Sequence, residues 1–265
     1  MADTSLSKGV SEFESALDDI ASSLEFVRSA SRLRPRLKEM LHWEYMDLDA
    51  KALATTFLRQ RTAEDSLLYR GMVISLAGAF EQFVRRTIRD SILAINSKAR
   101  NYDSLDENLR KENFYRTGIA LGTIHEPLDY FDLDYESLAK NVGTCFRGSP
   151  ETLLNAEAFA IFLPTISPKS LSDALRRVGM ELRWDDLGKT QSMRDVLETS
   201  DTRETANAAE EFLKRFGQMR NKIAHTGNSG IVVSDVDLEQ FIKTFRAFAR
   251  SFAAIVQGGI NKRAK

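Results

Sequence analysis

This chain has little of what most enzymes are recognised by. A single cysteine, Cys145, in 265 residues excludes an internal disulfide and Cys-rich zinc sites, and it suits a reducing compartment. Only five prolines and fourteen glycines interrupt the sequence, and no uncharged apolar run approaches the roughly 20 residues a membrane helix needs. The first residues, Met1-Ala2-Asp3-Thr4-Ser5, lack the basic-then-apolar order of a signal peptide. A soluble, cytoplasmic protein with no membrane partner is therefore expected. A net charge of -1 and a pI near 6.4 exclude a protein that coats nucleic acid with its whole surface. Any such contact must come from a local patch.

What is there is helical periodicity. The apolar residues Phe13, Leu17, Ile20, Leu24 and Val27 repeat at helical spacing and predict a helix over about Ser7 to Arg32. Pro35 is expected to break it, with a second helix over roughly Arg36 to Met46. A third, over about Glu64 to Asn96, turns Tyr69, Met72, Val73, Leu76, Phe80, Phe83, Val84, Ile88 and Ile92 inward. Residues 97–200 contain Pro127, Pro150, Pro164 and Pro168 with many Asp, Asn and Gly, and read as an insertion of short helices and loops within a single domain. There Ser170 and Asp173 have capping-box spacing, and Gly179 is a natural stop for a helix over Leu171 to Val178.

Two helices close the chain. One covers about Arg203 to His225, with Phe212, Leu213, Phe216, Met219 and Ile223 as its stripe, and pairs Glu210-Lys214 and Glu211-Arg215 four apart. Gly227 is expected to stop it, and Ile231-Val232-Val233 has the look of a short extended run. The last helix starts at the cap Ser234-x-x-Asp237 and buries Leu238, Phe241, Ile242, Phe245, Phe248, Phe252, Ile255 and Val256. After Gly258-Gly259 a polar, frayed tail is expected. The fold class read from this is all-α: an antiparallel helical bundle with core helices at about 7–96 and 203–257.

The chemistry-bearing stretch is Arg220-Asn221-Lys222-Ile223-Ala224-His225. A guanidinium can hold a phosphate, and an imidazole can move a proton near neutral pH. Spacing alone does not single it out, because Arg36 and His42 match the same loose pattern. Context separates them. Pro35 precedes Arg36, and His42-Trp43 reads as packing. His125, in Thr123-Ile124-His125-Glu126-Pro127, has no Cys or His neighbour for a metal. On a wheel with Phe212 at 0°, Arg220 falls near 80°, at the edge of the core stripe. Gly217, Asn221 and His225 fall at roughly 140–220°, away from it. Arg220 and His225 therefore do not share a face in a regular helix. Their meeting needs a bent helix end, a long reach by Arg220, or a second subunit packed against Gly217. A lone His at a helix end is also commonly just solvated.

The fragments Arg220-Asn221-Lys222-Ile223-Ala224-His225 and Ala77-Gly78-Ala79-Phe80-Glu81-Gln82-Phe83 together resemble the HEPN superfamily, in particular the bacterial RiboL-PSP type. The resemblance covers about 64–96 and 203–257 and implies a helical bundle with an Arg-x4–6-His signature in its penultimate helix. It further implies a metal-independent endoribonuclease without a cofactor. Such an enzyme dimerises to form its site, leaves 2′,3′-cyclic phosphate ends, and serves in toxin–antitoxin or antiviral defence, in which case an antitoxin or defence-system protein is a further partner. Carried onto this sequence, Arg220 steadies the phosphate, His225 handles the proton, Asn221 positions, and Glu81 supports. Lys222, Lys214, Arg85 and Arg89, with Arg86, are candidate RNA contacts. Each has a plainer reading: Glu81 with Arg85 is a possible surface ion pair, and a basic cluster on a helix is commonly just solvated. One departure is informative. Where HEPN toxins silenced by an adenylyltransferase carry a Tyr, this chain has Gly227, so that control is not expected here. Two alternatives stay open: a non-catalytic HEPN module for dimerisation or partner binding, and a helical adaptor outside the superfamily.

Overall fold

A computed structural model describes residues 2–43, 45–59, 62–123, 135–145, 154–161, 166–226 and 230–263. In chain order the helices are α1 (Ala2–Met40), α2 (Leu48–Arg59), α3 (Thr62–Lys98), α4 (Glu107–Thr123), α5 (Tyr135–Cys145), α6 (Ala156–Ala160), α7 (Pro168–Arg177), α8 (Trp184–Gly188), α9 (Gln191–Leu197), α10 (Thr202–Thr226) and α11 (Asp235–Arg263), with a 3₁₀ turn at Tyr102–Ser104. The described residues contain no strand. The fold is all-α.

The core is an aromatic ladder at the centre of a bundle of α1, α3, α10 and α11. The ring centroid of Phe245 of α11 lies 4.7 Å from those of both Phe80 of α3, tilted against it, and Phe216 of α10, edge-on to it. Phe212 lies 5.1 Å from Phe245, and Phe13 of α1 lies 5.1 Å from Phe83. Phe80 meets Phe245 while Phe83 meets Phe252, so α3 and α11 run in the same direction. Burying such rings is the largest stabilising contribution available to a chain whose single cysteine allows no internal disulfide.

Four elements depart from the periodicity reading. Helix α1 does not break at Pro35 but continues to Met40. A mid-helix proline forfeits a hydrogen bond and costs about 3 kcal/mol. Here Asp65 of α3 offsets that cost from the side. Arg34 donates to both Asp65 oxygens at 2.8 and 3.0 Å, and Ser31 donates to Asp65 Oδ2 at 3.1 Å. Helix α2 falls where none was expected, and its single buried residue, Ala54, explains why no apolar stripe announced it. Helix α7 starts earlier than Leu171. Ser167 is its N-cap, accepting from Ser170 N–H at 3.1 Å, because Pro168 at the first helical position already has the right φ. Asp173 instead pairs with Arg176. Finally, α11 runs through Gly258-Gly259 to Arg263, because Ile260 is buried and Gly259 leaves room for the Met180 side chain.

Other signals are met. Gly179 adopts a left-handed φ of 69° and ends α7. Ser234 and Asp237 exchange the two hydrogen bonds of a capping box, at 2.9 and 3.1 Å. Residues 230–234 take no regular structure, although Val233 is buried and Val232 exposed, the alternation of an extended run without a partner. His125 and Gly227 lie outside the described residues. Residues 166–197 contribute Leu171, Leu175, Val178, Leu187 and Met193 to the bundle's own core. The stretch before them is tied to α3, α4 and α5 by polar bonds. Asn96 exchanges two hydrogen bonds with the Leu154 backbone, and buried Asn155 donates to Thr117 and to the Leu138 carbonyl.

Candidate active site

Phe80 and Glu81 divide their work between two faces of α3. Phe80 is locked in the ladder, so Glu81, one residue on, projects toward the seam with α10. Across that seam lies Arg220, whose Nη2 is 3.7 Å from Glu81 Oε1. Both side chains are three-quarters or more buried, at 25% and 21% exposure. The pair is therefore less screened than a surface ion pair. Among the described residues Glu81 has no ion pair with Arg85, so the along-helix pairing does not form.

Arg220 is held from a second side. Its Nη1 donates to Asn221 Oδ1 at 3.1 Å. Its Nε is buried without a partner, an orientation that costs free energy and is sustained by the surrounding packing. Asn221 is half-buried and His225, one turn further on, is exposed. Helix α10 stays α-helical through Thr226, so its end does not tighten to bring Arg220 and His225 together. The link instead passes through Asn221. It is bonded to Arg220 on one side and lies four residues before His225 on the same helical face.

The expectation for Gly217 needs correction. A close backbone approach is present, but it comes from this chain, not from a second subunit. A Cβ on Gly217 would collide with the Ile166 carbonyl oxygen just before α7. The lower part of the Gly217–Asn221–His225 stripe is thus covered, and only its upper end is open.

The candidate RNA-contacting cations divide. Arg89 bonds Glu157 of α6 and lies beside Asp90, and Arg86 pairs with Glu12 of α1 and with Asp90. Those two guanidinium groups join helices. Lys214 pairs with Glu211 at 3.2 Å, in place of the expected Glu210, and both remain more than half exposed. Lys222 is exposed near the open end of the stripe. Arg85 is half-buried and has no ion pair among the described residues. Trp43 and His42 are not packed as their sequence suggested. Both are exposed where α1 ends, so the Arg36–His42 pair is solvent-facing too.

Sequence reasoning missed one contact near this end of the bundle. Arg28 of α1 donates to Asp235 at 2.8 Å and to Glu239 at 2.8 Å, fastening α1 to the start of α11. Glu239 is held down to about 2, first by its hydrogen bond from Lys243 and then by Arg28. No spacing signal could have linked residues more than two hundred positions apart.

The all-α bundle, with Arg220 and His225 in its penultimate long helix and Glu81 beside Arg220, defines the class. The chain matches the model of the RiboL-PSP-HEPN family over residues 11–257 and belongs to that family. No curated protein and no solved structure matches it. Membership removes the reading of an adaptor outside the superfamily. Among the described residues no helix is long and apolar enough to cross a membrane.

Proposed function

We propose that the protein is a metal-independent endoribonuclease working through Arg220, Asn221 and His225. One observation carries this reading: Arg220 is bracketed by Glu81 and Asn221 at the seam, and Asn221 lies one turn before an exposed His225 on the same helix. Such a bracket fixes a guanidinium so that a phosphate meets it with little ordering cost. In the reaction the 2′-oxygen attacks phosphorus and the 5′-oxygen leaves. The products are a 2′,3′-cyclic phosphate and a 5′-hydroxyl end. His225 moves the 2′-hydroxyl proton or protonates the leaving oxygen, a role whose efficiency is greatest for a group titrating near the working pH. Lys222 and Arg85 supply positive charge for the flanking phosphates.

The working unit on this reading is a homodimer, serving in toxin–antitoxin or phage-defence settings as family membership suggests. A second copy finds support on α3. Gly71 and Gly78 are exposed, and among the described residues nothing lies within 4 Å of where their Cβ atoms would be. Each mid-helix glycine costs about 1 kcal/mol relative to alanine. Among the described residues no contact accounts for that cost, and Gly78 lies one turn from Glu81.

A non-catalytic HEPN module is the second reading. It is favoured by the same bracket, because Glu81 and Asn221 already occupy Arg220. Cleavage of a mixed RNA pool in chelator separates the two. The nuclease reading expects cyclic-phosphate ends that vanish in Arg220→Ala and His225→Ala. Cleavage that persists in both, or that requires a divalent ion, overturns it.

A further inference from the structure

Past Arg28, α1 runs on to Met40, roughly 18 Å at 1.5 Å per residue. Arg28 is fastened to the first turn of α11, and α10 ends at Thr226, one residue past His225. The rest of α1 therefore projects beyond the bundle from the end that carries His225. It has α2 and the first turns of α3 beside it, through Asp65 under Arg34 and through Phe57, over whose ring the Arg34 guanidinium lies at 5.9 Å.

This arm has two unusual properties. The first is charge. Arg28, Arg32, Arg34, Arg36 and Lys38 fall within eleven residues with no acid among them, in a chain whose net charge is -1. Arg28 and Arg34 are consumed by Asp235, Glu239 and Asp65. Arg32 is 76% exposed and only loosely near Glu25, at 3.8 Å. Arg36 and Lys38 are exposed, and among the described residues neither has an ion-pair partner. The second property is unburied aromatic surface. Trp43 is 59% exposed and Tyr45 98%, and both stand where α1 gives way to α2. Rings this open contribute little to the fold and cost solubility.

We propose that this arm is a binding platform for single-stranded RNA, with Trp43 and Tyr45 stacking on unpaired bases and Arg32, Arg36 and Lys38 tracking the phosphates. A row of cations followed by exposed rings suits a single strand, since every base offers a face to stack on. A duplex hides those faces. A second copy is the weaker occupant despite exposed Leu48 and Leu53, because a twofold contact would set the basic stretch against itself. The proposal rests on the reading that the protein acts on RNA, and it makes the preferred substrate an unpaired segment led toward His225.

The test uses the full chain carrying His225→Ala, so that RNA stays intact, and a fluorescent unstructured RNA of about twelve nucleotides, within the range of single-strand sites. Trp43→Ala and Tyr45→Ala are each expected to weaken binding at least about fivefold. Combining Arg32→Gln with Arg36→Gln should make the dependence of log affinity on log salt shallower by about 1.4, the loss of two single-strand phosphate contacts. A duplex of the same sequence should bind less tightly and ignore Trp43→Ala. Unchanged affinity in all of these variants overturns the proposal. So does a shift from dimer to monomer in sedimentation with RNA affinity intact, which would make the arm a copy-to-copy interface. Cleavage is scored separately in the His225-containing protein. Arm-dependent binding without any cleavage removes the nuclease reading alone. His225-dependent cleavage with arm-independent binding removes the platform alone.

Discussion

In the bundle, Phe245 is fully buried among Phe80, Phe212 and Phe216; in the arm, Tyr45 is almost fully exposed and α2 has Ala54 as its one buried residue. The same chain thus contains a region whose side chains are accounted for by its own packing and a region whose side chains are not. The bundle's aromatics lower the free energy of the folded chain directly. The arm is held by a few polar clamps, chiefly Asp65 and Arg28, and displays its rings to solvent. The difference separates residues that maintain the fold from residues whose use must lie outside it, and the candidate site stands where the two regions meet.

The sharpest contrast is between two aromatic truncations. Phe245→Ala should cost about 3–5 kcal/mol of unfolding free energy, since it empties the centre of the ladder. Trp43→Ala should stay within about 0.5 kcal/mol. Chemical denaturation of both variants checks this, and a large loss in Trp43→Ala would show that the arm is packed after all. Next in size is Asp65→Ala. It removes the carboxylate that compensates for Pro35 and should weaken the arm by about 1.5–3 kcal/mol. Amide exchange should then accelerate at the end of α1 and not in α10 or α11. Equal acceleration throughout would mean that arm and bundle unfold as one unit.

Gly217 and Gly78 test the comparison at the backbone. Alanine at Gly217 must displace the Ile166 carbonyl, and a loss of about 1–3 kcal/mol is expected despite alanine's better helix propensity. Alanine at Gly78 meets open space and should raise the stability of the isolated chain by up to about 1 kcal/mol. Thermal melts of the two variants should move in opposite directions.

The smallest effect is one of pH. Glu239, depressed to about 2 by Lys243 and Arg28, lies below its ordinary value of 4.5. Its contribution is therefore complete above about pH 4.5 and is lost as the pH falls toward 2. The group is exposed, so the change should be slight. Glu239→Gln should flatten the melting temperature across that window.

The bundle was legible because burial imposes a period. Phe241, Phe245, Phe248 and Phe252 announce α11 without any structure, and the Ser234–Asp237 cap fixes where it begins. The arm was not, because its conformation depends on partners far away in sequence. Nothing local to Pro35 foretells Asp65, and no apolar stripe marks α2. The site was half legible. Wheel geometry put Arg220 at the edge of the core and Asn221 and His225 outside it, as their burial has it. It could not foresee that Arg220 would reach Glu81 or that Ile166 would cover Gly217, since both are contacts between distant segments. Reading His42-Trp43 as packed failed for a related reason. A Trp at a helix end is ordinarily buried by something, and here the described residues leave it 59% exposed.

Two Arg–His pairs on this chain fit the spacing, Arg36–His42 and Arg220–His225, and only the second stands at the seam. The most direct test compares initial cleavage rates of an unstructured RNA, in chelator and at saturating RNA, for the wild type, His225→Ala and His42→Ala. The account predicts a loss of about 10²–10⁴-fold in His225→Ala, the range for removing a general acid or base, with the rate of His42→Ala close to wild type. A His225→Ala variant that cleaves at the wild-type rate, or a His42→Ala variant that loses as much, would contradict it.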